Sequence, residues 1–418
     1  MRRAAWGALL LFAFVVPWDV SLNLGPPLGN SARLVGLAVL LAAIPAVLQA
    51  GCVRKPGWMQ WLVLAFYLWW CCTGFWTVDS DATLVKLRAY FQDLMVVWLV
   101  WEFGEGPGDL RWLLRAYVAG SWVLACLTLA NFASPEAIAA GQIRFVASGQ
   151  DPNDAARFLD LGFPLAALLW TSEKNSLGKL LAGGYLPLGL AAVVLTASRE
   201  GFLAAVVAFA GCLLLVGRSH PRTAFGAVAA LPAVSLALWL TIPKGTFERL
   251  ATIPGQFAGG DLNQRWNIWG VGWDAFMRSP ILGSGAGSFV QAAGLAPTDT
   301  AHNTVLSILV CGGLCALLLA GGILAAAVRA VLQTTGSLRW ALATTLLVWA
   351  LTSFAASVEE NRTTWLLLAI IALAGRLATE KREELAACFS LAGSGQQPGP
   401  LVEAALQPDG QAGQTRPA

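Results

Sequence analysis

His302 is one of only two histidines in the chain. It follows Asp299 and Thr300 and opens an apolar run. If Asp299 or Thr300 caps the helix that begins there, His302 falls in its first turn. The positive end of the helix dipole disfavours imidazolium, so the ring is expected to be neutral, as a general base requires. Arg199 sits in a very short turn, Ser198-Arg199-Glu200, between two apolar runs. A charge held at such a boundary is costly and tends to be functional; pairing with Glu200 or a lipid phosphate is the plainer reading. Arg265 precedes Trp266 at the start of a helical stretch, where a snorkelling role is the plainer alternative. Two arginines can grip a diphosphate bidentately and stabilise the charge that grows as its bond to a sugar breaks. A neutral histidine can take the proton from an incoming hydroxyl. Such a reaction needs no metal and no cofactor, because guanidinium replaces the cation.

Other polar groups carry weaker signals. Asp79-Ser80-Asp81 has the form of a Mg²⁺-binding pair of carboxylates, but the same residues serve to cap a helix starting near Leu84, and capping is preferred. Lys86 and Arg88 lie near the same end of that helix and can face a substrate, while Lys86 and Asp93 can pair. Gly283, Gly285 and Gly287 follow Pro280; no strand precedes them, so they form no dinucleotide fingerprint and are read as a flexible turn. His220 lies in a basic loop with no partner of note. The eight cysteines fall mostly in apolar runs, and none lies in a loop outside the membrane, so no disulfide framework is expected.

The elements that must position these groups are membrane helices. The composition is 57% hydrophobic and 12% charged, about half the charge of a soluble domain, and the mean hydropathy is +0.63. A net charge of +3 is too small to point to nucleic acid. Apolar runs of roughly 17–22 residues, enough to cross a hydrocarbon core, lie near 4–18, 32–50, 58–76, 84–101, 112–131, 154–171, 179–197, 201–217, 223–242, 304–327, 339–357 and 364–378. The fold expected is all-α and polytopic, with about twelve transmembrane helices and a long loop, 243–302, between the ninth and tenth. Lys and Arg mark the cytoplasmic loops: Arg2, Arg54, Lys55, Arg111, Lys174, Arg218, Arg222, Arg329, Arg339, Arg376 and Lys381 fall on one side. Both termini are then cytoplasmic. Loop 132–153, the Ser198 turn and segment 243–302 lie outside. Within the last, Leu262 to Ser279 reads as a helix with Trp266, Trp269, Trp273 and Phe276 on one face, suited to the headgroup boundary. Residues 1–385 form the membrane domain, and 386–418, rich in Gly, Gln and Pro toward the end, read as a disordered tail.

Several runs, in order, resemble the O-antigen ligase and polymerase superfamily of bacterial inner-membrane proteins. Arg144 and the Asp151-Pro152-Asn153 run look like that family's outer-loop arginine and "DPN" segment. Ser198-Arg199-Glu200-Gly201 resembles its Ser-Arg-Gly-Gly segment, with Glu200 replacing a glycine. Arg265-Trp266, Trp273 and the stretch Ser279 to Phe289 resemble its arginine, tryptophan and Pro/Gly-rich block. Ala301-His302-Asn303 looks like its "AHN" segment. The similarity is densest over 140–330. The resemblance implies a GT-C-like membrane glycosyltransferase. It would move a glycan from an undecaprenyl-diphosphate-linked donor to lipid A-core or polysaccharide, by an inverting, metal-independent route. By motif, Arg199 and Arg265 bind the diphosphate and His302 activates the acceptor. Arg144, Asn303 and Arg88 join them as candidate substrate-binding residues. The implied partners are the lipid-linked donor, the acceptor and membrane lipid. A polymerase of the same family and a twelve-helix transporter or flippase are the competing readings. Transporters of that size often join two halves by a long cytoplasmic linker, whereas here the longest internal loop is on the outside.

Overall fold

The computed structural model describes residues 1–25, 29–257, 259–260, 264–297 and 299–390. Among them no strand forms; the one extended pairing is an isolated bridge between Asn23 and Asn30. The helices are α1 (Arg2–Val15, continued by a 3₁₀ turn Val16–Ser21), α2 (Ser31–Ala50), α3 (Trp58–Thr73), α4 (Ser80–Phe103), α5 (Pro107–Phe132) and α6 (Pro135–Ala139). Next come α7 (Pro152–Ser172), α8 (Ser176–Leu195), α9 (Arg199–Ser219), α10 (Pro221–Thr241), α11 (Lys244–Ala251) and α12 (Ile253–Phe257). The last six are α13 (Arg265–Arg278), α14 (Phe289–Ala293), α15 (Thr304–Gln333), α16 (Gly336–Ser353), α17 (Arg362–Glu380) and α18 (Arg382–Cys388). A helix stands at each expected apolar run. Eight of the helical stretches are long and apolar enough to cross a bilayer, and the chain is a multi-pass, all-α membrane protein. Three of the other four at those places depart for visible reasons. α3 has 16 residues, α4 buries Asp93 and Glu102, and α7 buries Arg157 and Asp160.

α7 and α17 form the centre. α7 packs on α5, α8, α9 and α16, and α17 on α4 and α15. Nearly every side chain of both is buried, so their apolar residues face protein on all sides. α10 is the opposite case: it leans on α9 and buries none of its side chains.

The helices α2, α4, α7, α9, α15 and α17 all start at one end of the bundle. Each is capped there by a side chain: Asn30, Asp79, Asp151, Ser198, Asn303 and Asn361, respectively. Each cap satisfies a backbone N–H that has no partner within its helix, for about 1 kcal/mol. Asp79 therefore caps α4, with its carboxylate accepting from the Ala82 amide at 3.0 Å.

α15 is broken at Gly313, whose φ of 66° and ψ of −167° are not helical. Segment 280–287 inserts beside the break. Ser284 N–H donates to the Val310 carbonyl at 2.9 Å, Gly285 N–H to Cys311 at 2.8 Å, and Leu314 N–H to Pro280 at 2.9 Å. The glycines read as a flexible turn are thus packed backbone to backbone. A Cβ on Gly285 would lie 2.1 Å from Thr77 Oγ1, and one on Gly283 would lie 2.4 Å from the Cys311 carbonyl oxygen. Irregular backbone at membrane depth is tolerated where protein surrounds it.

α13 also differs from expectation. It begins at Arg265, and Leu262 lies outside the described residues. Its buried face is Ile268, Gly272, Ala275 and Phe276, against α15. Trp266 and Trp273 point outward, so the aromatic stripe straddles the edge of the helix rather than forming one face. At the other end of the bundle, α18 runs to Cys388, past the expected start of the tail, and Arg111 stacks over Phe389. Residues 391–418 of that tail lie outside the described residues.

Candidate active site

The Ser198 turn is held by three neighbouring elements. Ala197 adopts φ +48°, a left-handed conformation that costs a non-glycine residue about 1–3 kcal/mol unless its surroundings hold it. Arg144 donates from Nε to the Thr196 carbonyl (3.1 Å) and from Nη2 to Asn153 Oδ1 (3.0 Å). Ser198 Oγ donates to the same Asn153 oxygen at 2.9 Å, and Arg249 Nε reaches the Ala197 carbonyl at 3.2 Å. Gly201 lets α9 approach α7: a Cβ there would meet that of Ala156 at 2.3 Å. The Arg144 and Asp151-Pro152-Asn153 segments thus act as one brace. Asp151 caps α7 by accepting from the Asn153 and Asp154 amides, and Pro152 occupies the first helical position, where its missing N–H costs nothing.

Arg144, Arg199 and Arg249 are mutually repelling. Burial, and then the Arg249 and Arg199 charges, lower the Arg144 pKa, against Asp151 and Glu200. Arg199 Nη1 donates to Thr252 Oγ1 at 3.1 Å. Glu200 does not pair with Arg199 as sequence proximity suggested. It turns to Arg265, with Nη2–Oε2 at 3.1 Å. Successive residues at a helix start point in different directions, so the two neighbours serve two different groups.

His302 lies outside α15 rather than in its first turn. Asn303 is the N-cap, with its Oδ1 accepting from the Leu306 amide at 2.9 Å, and His302 precedes it at φ +45°. The dipole argument therefore loses its geometry. Burial lowers the imidazole pKa instead, and the Arg265 charge lowers it further, against Asp151, Asp299 and Asp154. The backbone around it is pinned from three sides. Trp269 Nε1 donates to the Ala301 carbonyl at 3.1 Å, Thr304 Oγ1 to Ala356 at 2.8 Å, and Asn303 Nδ2 to Phe354 at 3.3 Å.

His302, Glu200, Asn153, Asp151, Lys86 and Glu359 are among the residues lining a cavity of about 530 Å³. Arg265 and Arg144 border it through their bonds to Glu200 and Asn153. Asn303 is consumed by capping and by Phe354. Arg88 is exposed beside Leu84 and does not line the cavity; Lys86, two residues earlier, does, and its ammonium pairs with Glu360 rather than Asp93. Among the described residues no three His, Cys, Asp or Glu side chains converge as metal ligands.

Residues 185–321 match the family model for O-antigen ligase. That segment is similar to the O-antigen ligase family. No curated protein matches the chain. The O-antigen ligase match spans Arg199, Glu200, Arg249, Arg265 and His302, and the family points to glycan transfer of the ligase or polymerase type. Its bounds leave Arg144, Asn153, Lys86 and the 354–361 loop to be placed by the structure. Sequence reasoning passed over that loop. Glu359 lies in it, 7% exposed; its Oε1 accepts from Ser307 Oγ at 2.5 Å, and Oε2 has no hydrogen-bond partner among the described residues. Burial raises its pKa, while Lys86 opposes that shift. Two adjacent carboxylates between two apolar runs were the signal, of the same kind that singled out Arg199. Arg249, in an amphipathic run, gave none.

Proposed function

We propose that the chain transfers a glycan from an undecaprenyl-diphosphate-linked donor to an acceptor hydroxyl, with inversion and without a metal. The observation that carries this is a cavity lined by His302, Glu200 and Asn153, with Arg265 bonded to Glu200 and Arg144 to Asn153 at its edge. The acceptor oxygen attacks the anomeric carbon. The bond from that carbon to the phosphate oxygen breaks, and His302 takes the acceptor proton. The lipid diphosphate leaves with its added negative charge, which Arg199 and Arg265, with Arg144 and Arg249 behind them, stabilise. Arg265 must share its guanidinium between Glu200 and the diphosphate, and its several N–H donors allow that. Lipid A-core or a growing polysaccharide supplies the hydroxyl. The helix ends richest in Lys and Arg lie opposite the cavity, which by the positive-inside rule supports a site on the periplasmic side of the bacterial inner membrane, with both termini cytoplasmic.

His302→Ala should lower single-turnover transfer by about 10²–10⁴-fold while donor binding to the detergent-purified protein stays near wild type. Arg199→Ala and Arg265→Ala should lose both, and Lys should rescue poorly at either position because it lacks the fork. Full transfer by His302→Ala would sink the reading. Transfer should also persist in EDTA; a loss on chelation reversed by Mg²⁺ would bring Asp79 and Asp81 into the chemistry and displace the arginine account.

A further inference from the structure

At the end of the bundle away from His302, a cleft of about 260 Å³ opens between α3, α4, α15 and α17. Two of its wall residues, Arg376 and Gln60, are buried with polar atoms unspent. Arg376 is 6% exposed. It lies over the Trp101 ring and donates from Nη1 to the Trp101 carbonyl at 2.8 Å and from Nη2 to that of Gly104. Its Nε has no hydrogen-bond partner among the described residues and stands 3.7 Å from the Glu380 carboxylate. Gln60 is wholly buried. Its Oε1 accepts from the Gly57 amide at 3.1 Å, while its Nε2 has no partner among the described residues. Buried amides of this kind are otherwise hydrogen-bonded, so Gln60 presents two donors to the cleft. Water could satisfy the amide, but not the charge: Arg329 and Arg376 face the single carboxylate of Glu380 across this lining, and buried charges are normally paired. Gly57, at the same rim, starts α3 with no side chain to cap it, which adds the positive end of a helix dipole.

We propose that this cleft binds the headgroup of an anionic glycerophospholipid of the phosphatidylglycerol type. Its phosphate accepts from Gln60 Nε2 and Arg376 Nε and pairs with Arg329, and a glycerol hydroxyl donates to Glu380. One negative charge balances two arginines and one carboxylate; a zwitterionic headgroup would leave the excess cation. Trp58, 75% exposed at the rim, stands where an indole marks the headgroup boundary. The acyl chains then lie along α3 and α15, where Trp61 and Val328 are exposed; a free phosphate would leave them uncovered. Basic pockets between membrane helices on the cytoplasmic side suit anionic headgroups. The site lies at the opposite end from the His302 cavity and does not depend on what that cavity binds.

The test is lipid titration of the delipidated, full-length protein in detergent, read by native mass spectrometry. One phosphatidylglycerol should be retained roughly tenfold more tightly than phosphatidylethanolamine, and millimolar inorganic phosphate should not displace it. Equal retention of the two lipids would make the cleft a bulk-lipid contact, and displacement by phosphate would make it a soluble-anion site; either result overturns the proposal. Arg376 also anchors two backbone carbonyls, so the informative variants lie elsewhere. Arg329→Gln alters an exposed residue. Gln60→Glu keeps an oxygen for the Gly57 amide but turns the donor facing the cleft into an acceptor. Each should weaken phosphatidylglycerol binding roughly tenfold. Arg222→Gln, at an exposed arginine of the same end on α10, should leave it unchanged. Wild-type binding by both Arg329→Gln and Gln60→Glu would overturn the site, as would an equal loss in Arg222→Gln, which would reduce the effect to overall surface charge.

Discussion

At the scale of the residue, the neutral state of His302 has a local cause that can be moved. Burial depresses its pKa first, and the Arg265 charge second. A base works deprotonated, so transfer should rise with pH through a midpoint below the ordinary imidazole value of about 6.5 and then level off. Arg265→Gln removes the repelling cation and should move that midpoint upward. Because the chain has only two histidines, ring-labelled NMR of the purified protein reads the titration without activity. An unmoved His302 signal in Arg265→Gln would mean that burial alone sets it. Glu200 gives a companion expectation. Its carboxylate competes with a diphosphate for Arg265, so Glu200→Gln should tighten donor binding several-fold, where loss of a purely structural pair would weaken it. Of these groups, Arg199, Arg265 and His302 were legible because charge at the edge of an apolar run is rare. Their partners were not. Which way Glu200 turns, and that His302 stands before the cap, depend on contacts with α13 and with the 354–361 loop, far away in sequence.

At the scale of the element, the broken helix α15 and the inserted 280–287 segment pack together beside the candidate site. α15 begins two residues after His302, and Gly287 of the inserted segment lines the same cavity as His302. Gly313 is the vulnerable position: its backbone lies in a region open essentially to glycine alone, and a Cβ would sit 2.1 Å from the Ile281 carbonyl oxygen. Gly313→Ala should therefore destabilise by about 1–3 kcal/mol or more, seen as a lower thermal midpoint in detergent, and should reduce transfer. Gly321→Ala, in the same helix and with nothing within 4 Å of its Cβ, should be neutral or slightly stabilising, by about 0.5–1 kcal/mol. Equal losses in both would detach the break from the site. The helices themselves were readable, because apolar runs and N-cap residues are local signals. The break was not. Gly312-Gly313 inside an apolar run looks like ordinary helix packing until segment 280–287 is laid against it, and that pairing spans some thirty residues with no periodic trace.

At the scale of the whole molecule, the cavity lies at one end, and the larger share of the Lys and Arg residues lies at the other. The basic end is tied down by ion pairs: Arg2 holds Glu102 at 2.9 Å and Glu105 at 2.8 Å, and Arg115 holds Glu173. The orientation rule counts Lys and Arg near helix ends, to which carboxylates contribute little, so these pairings leave the expected direction intact. Loop 132–153, the Ser198 turn and α13 share the cavity end, and the 172–176 and 218–222 turns share the other. All eight cysteines are free, which makes the direction measurable. With the exposed Cys52, Cys72 and Cys126 replaced by serine, Glu136→Cys and Asn267→Cys should react with an impermeant thiol reagent added to intact spheroplasts. Ser176→Cys should react only after permeabilisation. All three positions are exposed, so the difference reads sidedness rather than burial. The reverse pattern would put His302 and the arginines in the cytoplasm, where a donor presented on the periplasmic leaflet could not reach them. The proposed transfer would then fail on geometry, whatever the chemistry of the site.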